Sequence, residues 1–132
     1  MIAAGVGCRR NCARHDVLRA LDDALTHAGR GRGEVSALYA PAEKHAEPGL
    51  REAAAELEKP LVLLPREALL AQSAATITHS AHALESYGVP SVAETAALAG
   101  AAIHGRPRLL GPRQVAGSAT CALAMVDKEG SP

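Results

Sequence analysis

Phenylalanine and tryptophan are missing from this 132-residue chain, and tyrosine occurs only twice. Few aromatic faces means no platform on which unstacked bases could lie. Lysine plus arginine balance aspartate plus glutamate at 14 each, so no bulk basic field exists to hold a phosphate backbone. Nucleic acid is a poor partner on both counts. No segment approaches the ~20 apolar residues that cross a bilayer, which argues against a membrane partner. The apolar N-terminal run is short and has arginines after it, the reverse of a secretory signal. Three cysteines, an odd number, do not make a secreted disulfide framework. The chain reads as soluble and cytoplasmic.

What is present is mostly small. Alanine dominates the apolar content, followed by leucine and valine, and small side chains let helices sit close to a sheet. The length suits a single domain over residues 1–126, with 127–132 as a frayed tail.

Periodicity gives the element order. Residues 2–7 read as a buried strand. Val17, Leu18, Leu21, Ala24, Leu25 and Ala28 recur at helical spacing over 13–28, and Gly29 stands where a C-terminal cap is expected. "GRGRG" is a turn, and 34–40 a second strand. Pro48 suits the first turn of a helix over 50–57, closed by Lys59-Pro60. The continuous apolar run at 61–65 predicts a strand covered on both faces. Short helices are expected at 66–72 and 76–87. Ser91 and Glu94 predict a capping box opening another helix. Residues 108–111 and 119–126 read as a closing pair of strands, separated by the polar loop "PRQVAGS". This order predicts a three-layer α/β/α domain with a mainly parallel central sheet and an antiparallel edge. Ligands in such sheets lie at the carboxyl ends of strands, here the turn at 7–12 and the loop at 41–49.

The turn "GVGCRRN" at 5–11 admits several chemistries. The dinucleotide fingerprint wants a third glycine where Arg10 stands, and the Walker Gly-Lys-Ser/Thr is absent. Two glycines, a helix start and the guanidiniums of Arg9 and Arg10 still suit an anion. The alternative is a tight turn with solvated arginines. Cys8, Cys12 and His15 would share a face if the helix starts early. A structural zinc site wants a fourth ligand, so no metal and no cofactor is expected and thiols filling small gaps are the plainer reading. His79 and His82 could meet on one helical face, though surface histidines are plainer. Cys8, near a helix start and two arginines, is a candidate thiolate without an identifiable general base. Glu94 is a candidate acid or base, and equally the capping partner of Ser91.

Read together, "GVGCRRN" at 5–11, "KHAEPGL" at 44–50, Ser80, "GVPSVAETAAL" at 88–98 and "GSATCALA" at 117–124 resemble the CobE/CbiG C-terminal domain family of cobalamin biosynthesis. The pieces match in order and spacing over about the whole chain, and its short length resembles the stand-alone, CobE-type members. The resemblance implies an α/β three-layer fold and work on precorrin or hydrogenobyrinic-acid-type tetrapyrroles, flat rings fringed with carboxylates. It places ligand-binding candidates at Gly5, Gly7, Cys8, Arg9, Lys44, Glu47, Ser80, Glu94 and Thr120, joined by Arg10 as the turn's second guanidinium, with Glu94 and Cys8 as candidate catalytic groups. Cys8, Arg9, Lys44, Ser80, Glu94 and Thr120 are expected to line the pocket. Two departures favour binding over catalysis: Ala46 stands where the family commonly has aspartate, and only Arg113 remains of a basic cluster before the last strand. The resemblance thus implies a component that binds or hands over a tetrapyrrole. Its alternatives are a precorrin lactone hydrolase releasing acetaldehyde and a docking module for another pathway enzyme. A homodimer is allowed, and nothing in the sequence requires one.

Overall fold

Alternation along the first strand decides how the layers stack. In the computed structural model, which describes residues 1–44 and 47–126, β1 spans Ile2–Cys8 and is buried throughout. Ile2, Ala4, Val6 and Cys8 join a core with α1 (Arg14–Ala28) and α2 (Pro48–Leu57). Ala3 joins a second core dominated by α5 (Val92–Ala102), on the opposite face. The sheet is therefore the middle of three layers. The 127–132 tail, His45 and Ala46 lie outside the described residues.

β1 pairs in parallel with β2 (Val35–Pro41), and β2 in parallel with β3 (Leu61–Leu64). On its other side β1 pairs antiparallel with β6 (Ala119–Val126), from Ile2 opposite Met125 to Cys8 opposite Ala119. The order is β3-β2-β1-β6-β4, where β4 is Pro107–Leu109, and β5 (Gln114–Ala116) also pairs with β6. The expected parallel sheet with an antiparallel edge is present, but the antiparallel part is broad and β6 lies in the interior. β4 and β5 pair along the same partner with a shift of two residues between them, bridged where the Leu110 N–H donates to the Leu123 carbonyl at 2.9 Å.

Three expectations need correction. β3 is an edge strand with Leu61, Val62 and Leu63 only half-buried, because it has one neighbour and four residues. The loop "PRQVAGS" contains β5, whose pairing comes from β6 rather than from its own composition. The helix expected at 76–87 is only α4, Ala81–Tyr87, so His79 precedes it and shares no helical face with His82. The smaller signals held: Gly29 takes the left-handed conformation at the end of α1, Pro48 opens α2, and the Ser91 hydroxyl accepts from the Glu94 N–H at 3.2 Å.

Helix α5 is buried along Val92–Ala101 and lies so close to β1 that Gly5 has no room for a side chain: an added Cβ would stand 2.9 Å from Ala97 Cα and closer still to the Ala93 carbonyl oxygen. Gly100 sits likewise over the ring of Tyr39. The remaining helix, α3 (Arg66–Leu70), adds Leu69 to this second core. No helix among the described residues is long and apolar enough to cross a membrane.

Candidate functional site

Beyond the carboxyl end of β1 the chain opens a cavity of about 750 Å³. The β1–α1 turn contributes Gly7, Cys8, Arg9 and Arg10; α4 and its cap contribute Ser80, His82, Ala83, Ser86 and Tyr87; Val92 comes from the start of α5. The far wall is the β5–β6 hairpin, with Val115, Gly117, Ser118, Ala119 and Thr120, together with Arg113 just before it. Gly7 lies opposite Thr120, and a Cβ on Gly7 would displace the Thr120 hydroxyl. The missing side chain keeps the Thr120 hydroxyl in place at the floor.

Arg9, Arg10 and Arg113 approach this space from two separate segments. Among the described residues none of the three is in an ion pair, and no aspartate or glutamate lines the cavity. Five hydroxyl-bearing residues, Ser80, Ser86, Tyr87, Ser118 and Thr120, alternate with small apolar ones around the wall. Arginines outside any ion pair in a cavity without a lining carboxylate among the described residues suit a ligand with several carboxylates.

The structure brings Gly7, Cys8, Arg9, Arg10, Ser80 and Thr120 together. Gly5 lies beneath α5 and is not a lining residue. Glu47 stands outside the cavity and braces the turn, its carboxylate accepting the Asn11 N–H at 2.8 Å. The Lys44 side chain lies outside the described residues. Arg113, His82, Ser86, Tyr87 and Ser118 line the wall without having been singled out as ligand-binding candidates. Arg113, the remnant of a basic cluster, Ser118, inside "GSATCALA", and His82, weighed as a partner of His79, carried some sequence signal.

Glu94 is fully buried, and its carboxylate has four donors: the Ile77 N–H at 2.7 Å, the Thr78 N–H at 2.9 Å and hydroxyl at 2.6 Å, and the Arg113 N–H at 2.9 Å. Burial alone would push its pKa up, but the Thr78 hydroxyl and the backbone N–H groups of Thr78, Arg113 and Ile77 outweigh it and hold the carboxyl below its usual range. The expected capping box is half formed, because the Glu94 carboxylate reaches these segments instead of returning to Ser91. It joins the segment leading into α4 to the segment carrying Arg113, two walls of the cavity.

A second carboxylate fixes the hairpin. Asp16, in the first turn of α1, accepts from the Ser118 N–H at 2.9 Å and from its hydroxyl at 2.7 Å, which keep its pKa low. The Ser118 oxygen in turn accepts the Ala13 N–H at 3.3 Å, so a residue distant in sequence caps a helix whose own N-cap is alanine.

Cys8 and Cys12 are joined as a disulfide, with Cα atoms 5.8 Å apart. This corrects the reading of Cys8 as a thiolate and of the two thiols as separate gap-fillers. The reason is local: the Cys12 N–H donates to the Arg9 carbonyl at 3.0 Å and Asn11 takes a left-handed conformation, which folds Cys12 back towards Cys8. His15 points instead to Asp16, 3.4 Å away. Among the described residues no three His, Cys, Asp or Glu side chains are grouped to hold a metal. Cys121 is the free cysteine, and burial pushes its thiol up to about 12.

Comparison with known proteins adds to this geometry. Residues 2–124 match the family described as cobalamin synthesis G C-terminus. The crystal structure of CobE, a protein from the cobalamin biosynthetic pathway, superposes with a TM-score of 0.91 at 38% identity, covering 96% of this chain and 91% of CobE. Cobalamin biosynthesis protein chiG from Agrobacterium tumefaciens strain C58 is also 38% identical, with a TM-score of 0.73 over 96% of this chain and 99% of that one. A protein described as a cobalamin biosynthesis protein G homolog from Sulfolobus solfataricus shares the fold at 14% identity and a TM-score of 0.65, over 96% of this chain and 37% of its own. A search of curated proteins finds no match. With the family matched from the first strand to the last, this chain belongs to the cobalamin synthesis G C-terminal family, whose CobE and chiG members share its fold.

Proposed function

We propose that this protein binds a polycarboxylate corrin-ring intermediate of cobalamin biosynthesis in the cavity above β1 and hands it on to a neighbouring enzyme. The observation that carries the reading is the convergence of Arg9, Arg10 and Arg113 on one cavity with no lining carboxylate among the described residues. A precorrin is a flat ring fringed with acetates and propionates. Guanidiniums would take the carboxylates, while Ala83, Val92 and Val115 offer apolar surface to the ring. Likeness to CobE and chiG, proteins of cobalamin biosynthesis, supports looking for the ligand among that pathway's intermediates. The volume lies within the ~300–1,000 Å³ common for small-molecule sites, and the mouth is open enough to leave part of a macrocycle outside.

Binding is favoured over lactone hydrolysis because both candidate catalytic groups are engaged elsewhere. Cys8 is in a disulfide, and Glu94 has its oxygens filled by four donors. The test is titration with precorrin intermediates and hydrogenobyrinic acid, followed by mass spectrometry of the recovered pigment. The expected result is saturable binding at micromolar concentration or below with the pigment mass unchanged. Arg9→Ala and Arg113→Ala should each weaken binding about tenfold, the loss of one charge-assisted contact. A protein-dependent change in pigment mass would make the protein an enzyme, and absence of binding would overturn the reading.

A further inference from the structure

The Cys8–Cys12 bond closes a ring around Arg9 and Arg10, two of the three guanidiniums at the cavity. A disulfide across so short a separation restrains the unfolded chain less than one across a long loop, so stabilising the fold is not its main consequence. Its main consequence is local. The ring fixes the turn already drawn together by the Cys12 N–H on the Arg9 carbonyl and by the Arg9 N–H on the Ser118 carbonyl, both at 3.0 Å. Both cysteines are largely buried, Cys8 at 9% and Cys12 at 4% exposure, but only Cys8 is among the residues that line the cavity.

We propose that Cys8 and Cys12 form a thiol–disulfide exchange site, open through the cavity to low-molecular-weight thiols, and that its oxidation state sets how firmly Arg9 and Arg10 are held for an anionic ligand. The second half rests on the carboxylate-binding reading above. In reduction, a thiolate of the glutathione class attacks the Cys8 sulfur and forms a mixed disulfide, and the Cys12 sulfur leaves as thiolate and takes a proton. A second thiolate attacks the sulfur of the bound thiol, which releases Cys8, again protonated from solvent. Two small thiols thus give two electrons and two protons to the protein and leave as their own disulfide. Oxidation is the reverse, with the small-molecule disulfide as oxidant. The neighbouring guanidiniums favour the departing thiolate and attract a thiol that carries carboxylates. Opening the ring frees the backbone at Arg9 and Arg10, so their ordering falls on the binding step.

The test uses the full chain equilibrated with oxidised or reduced glutathione. After denaturation and alkylation without reductant, the oxidised protein should carry one modified cysteine, Cys121, and the reduced protein three. Native Cys12→Ser treated with oxidised glutathione should gain a single adduct, on Cys8. Affinity for hydrogenobyrinic acid should fall about fivefold on reduction, and Cys12→Ser kept free of glutathione, which cannot close the ring, should show the weaker value. Three alkylated cysteines in the oxidised protein, or no Cys8 adduct, would overturn the exchange site. Equal affinity in both states would overturn the control of binding while leaving the carboxylate reading intact. Failure to bind in either state would overturn that reading and the control together, and a Cys8 adduct would then still support the exchange site.

Discussion

Gly5→Ala should lower stability by about 3 kcal/mol, the upper end of what overpacking a core costs. A methyl group there would overlap the Ala93 carbonyl oxygen and the Ala97 nitrogen. Both are backbone atoms of α5, so no rotamer change can relieve the clash and the helix itself must retreat. That helix is buried over nearly its whole length, and Ala93, Ala96 and Ala97 share one core with Ala122 and Ala124 of β6. Retreat would therefore open gaps on every side of it, and would shift Val92 in the cavity wall. In a domain of this size the melting temperature should drop by roughly 10–15 °C. Gly33→Ala is the matched control, because nothing lies within 4 Å of the position its Cβ would take. That variant should melt close to the wild type. Equal behaviour of the two would mean that α5 does not approach β1 as described.

Glu94→Ala should cost about 2–4 kcal/mol, since four donors lose their acceptor together. Glu94→Gln should cost less, because the amide carbonyl still accepts on one side, but its NH₂ then faces N–H groups. The pH dependence has a definite sign. The folded carboxyl sits below its usual range, so its contribution is complete above that range and is lost as pH falls through the lowered value. The stability gap between wild type and Glu94→Gln should be constant near neutrality and shrink below roughly pH 4, which denaturant titration across pH would read. A gap that widened on acidification would contradict the assignment. Ligand affinity should fall in the same variants, since Glu94 ties the approach to α4 to the segment carrying Arg113.

Those two residues show what could be read from sequence and what could not. Elements from β1 to α2 follow from apolar spacing and punctuation, because Gly29 and Pro48 act on their immediate neighbours. The cavity's near wall was legible for the same reason: glycines and arginines meet in one turn. The partners of the Glu94 carboxylate are not legible in the sequence, because they lie about 17 residues before and 19 after it and only the fold brings them together. Helix α4 starts later than its sequence suggests because Ser80 caps it there, its hydroxyl accepting the Ala83 N–H at 3.2 Å. β5 escaped notice because three residues carry too little pattern to declare a strand without their partner. Cys8 and Cys12 were visible at a spacing of four, yet whether the sulfurs meet depends on the left-handed turn at Asn11.

The central claim is that guanidiniums at this cavity recognise the carboxylates of a corrin-type ring. Calorimetric titration with hydrogenobyrinic acid and with its neutral methyl ester, on wild-type protein and on Arg9→Ala/Arg113→Ala, tests it most directly. The account predicts micromolar or tighter binding of the acid, at least 100-fold weaker binding of the ester, and an affinity for the acid about 100-fold lower in the double variant, as two charge-assisted contacts would give. Equal affinity for acid and ester, or a double variant that binds the acid as well as wild type does, would contradict it.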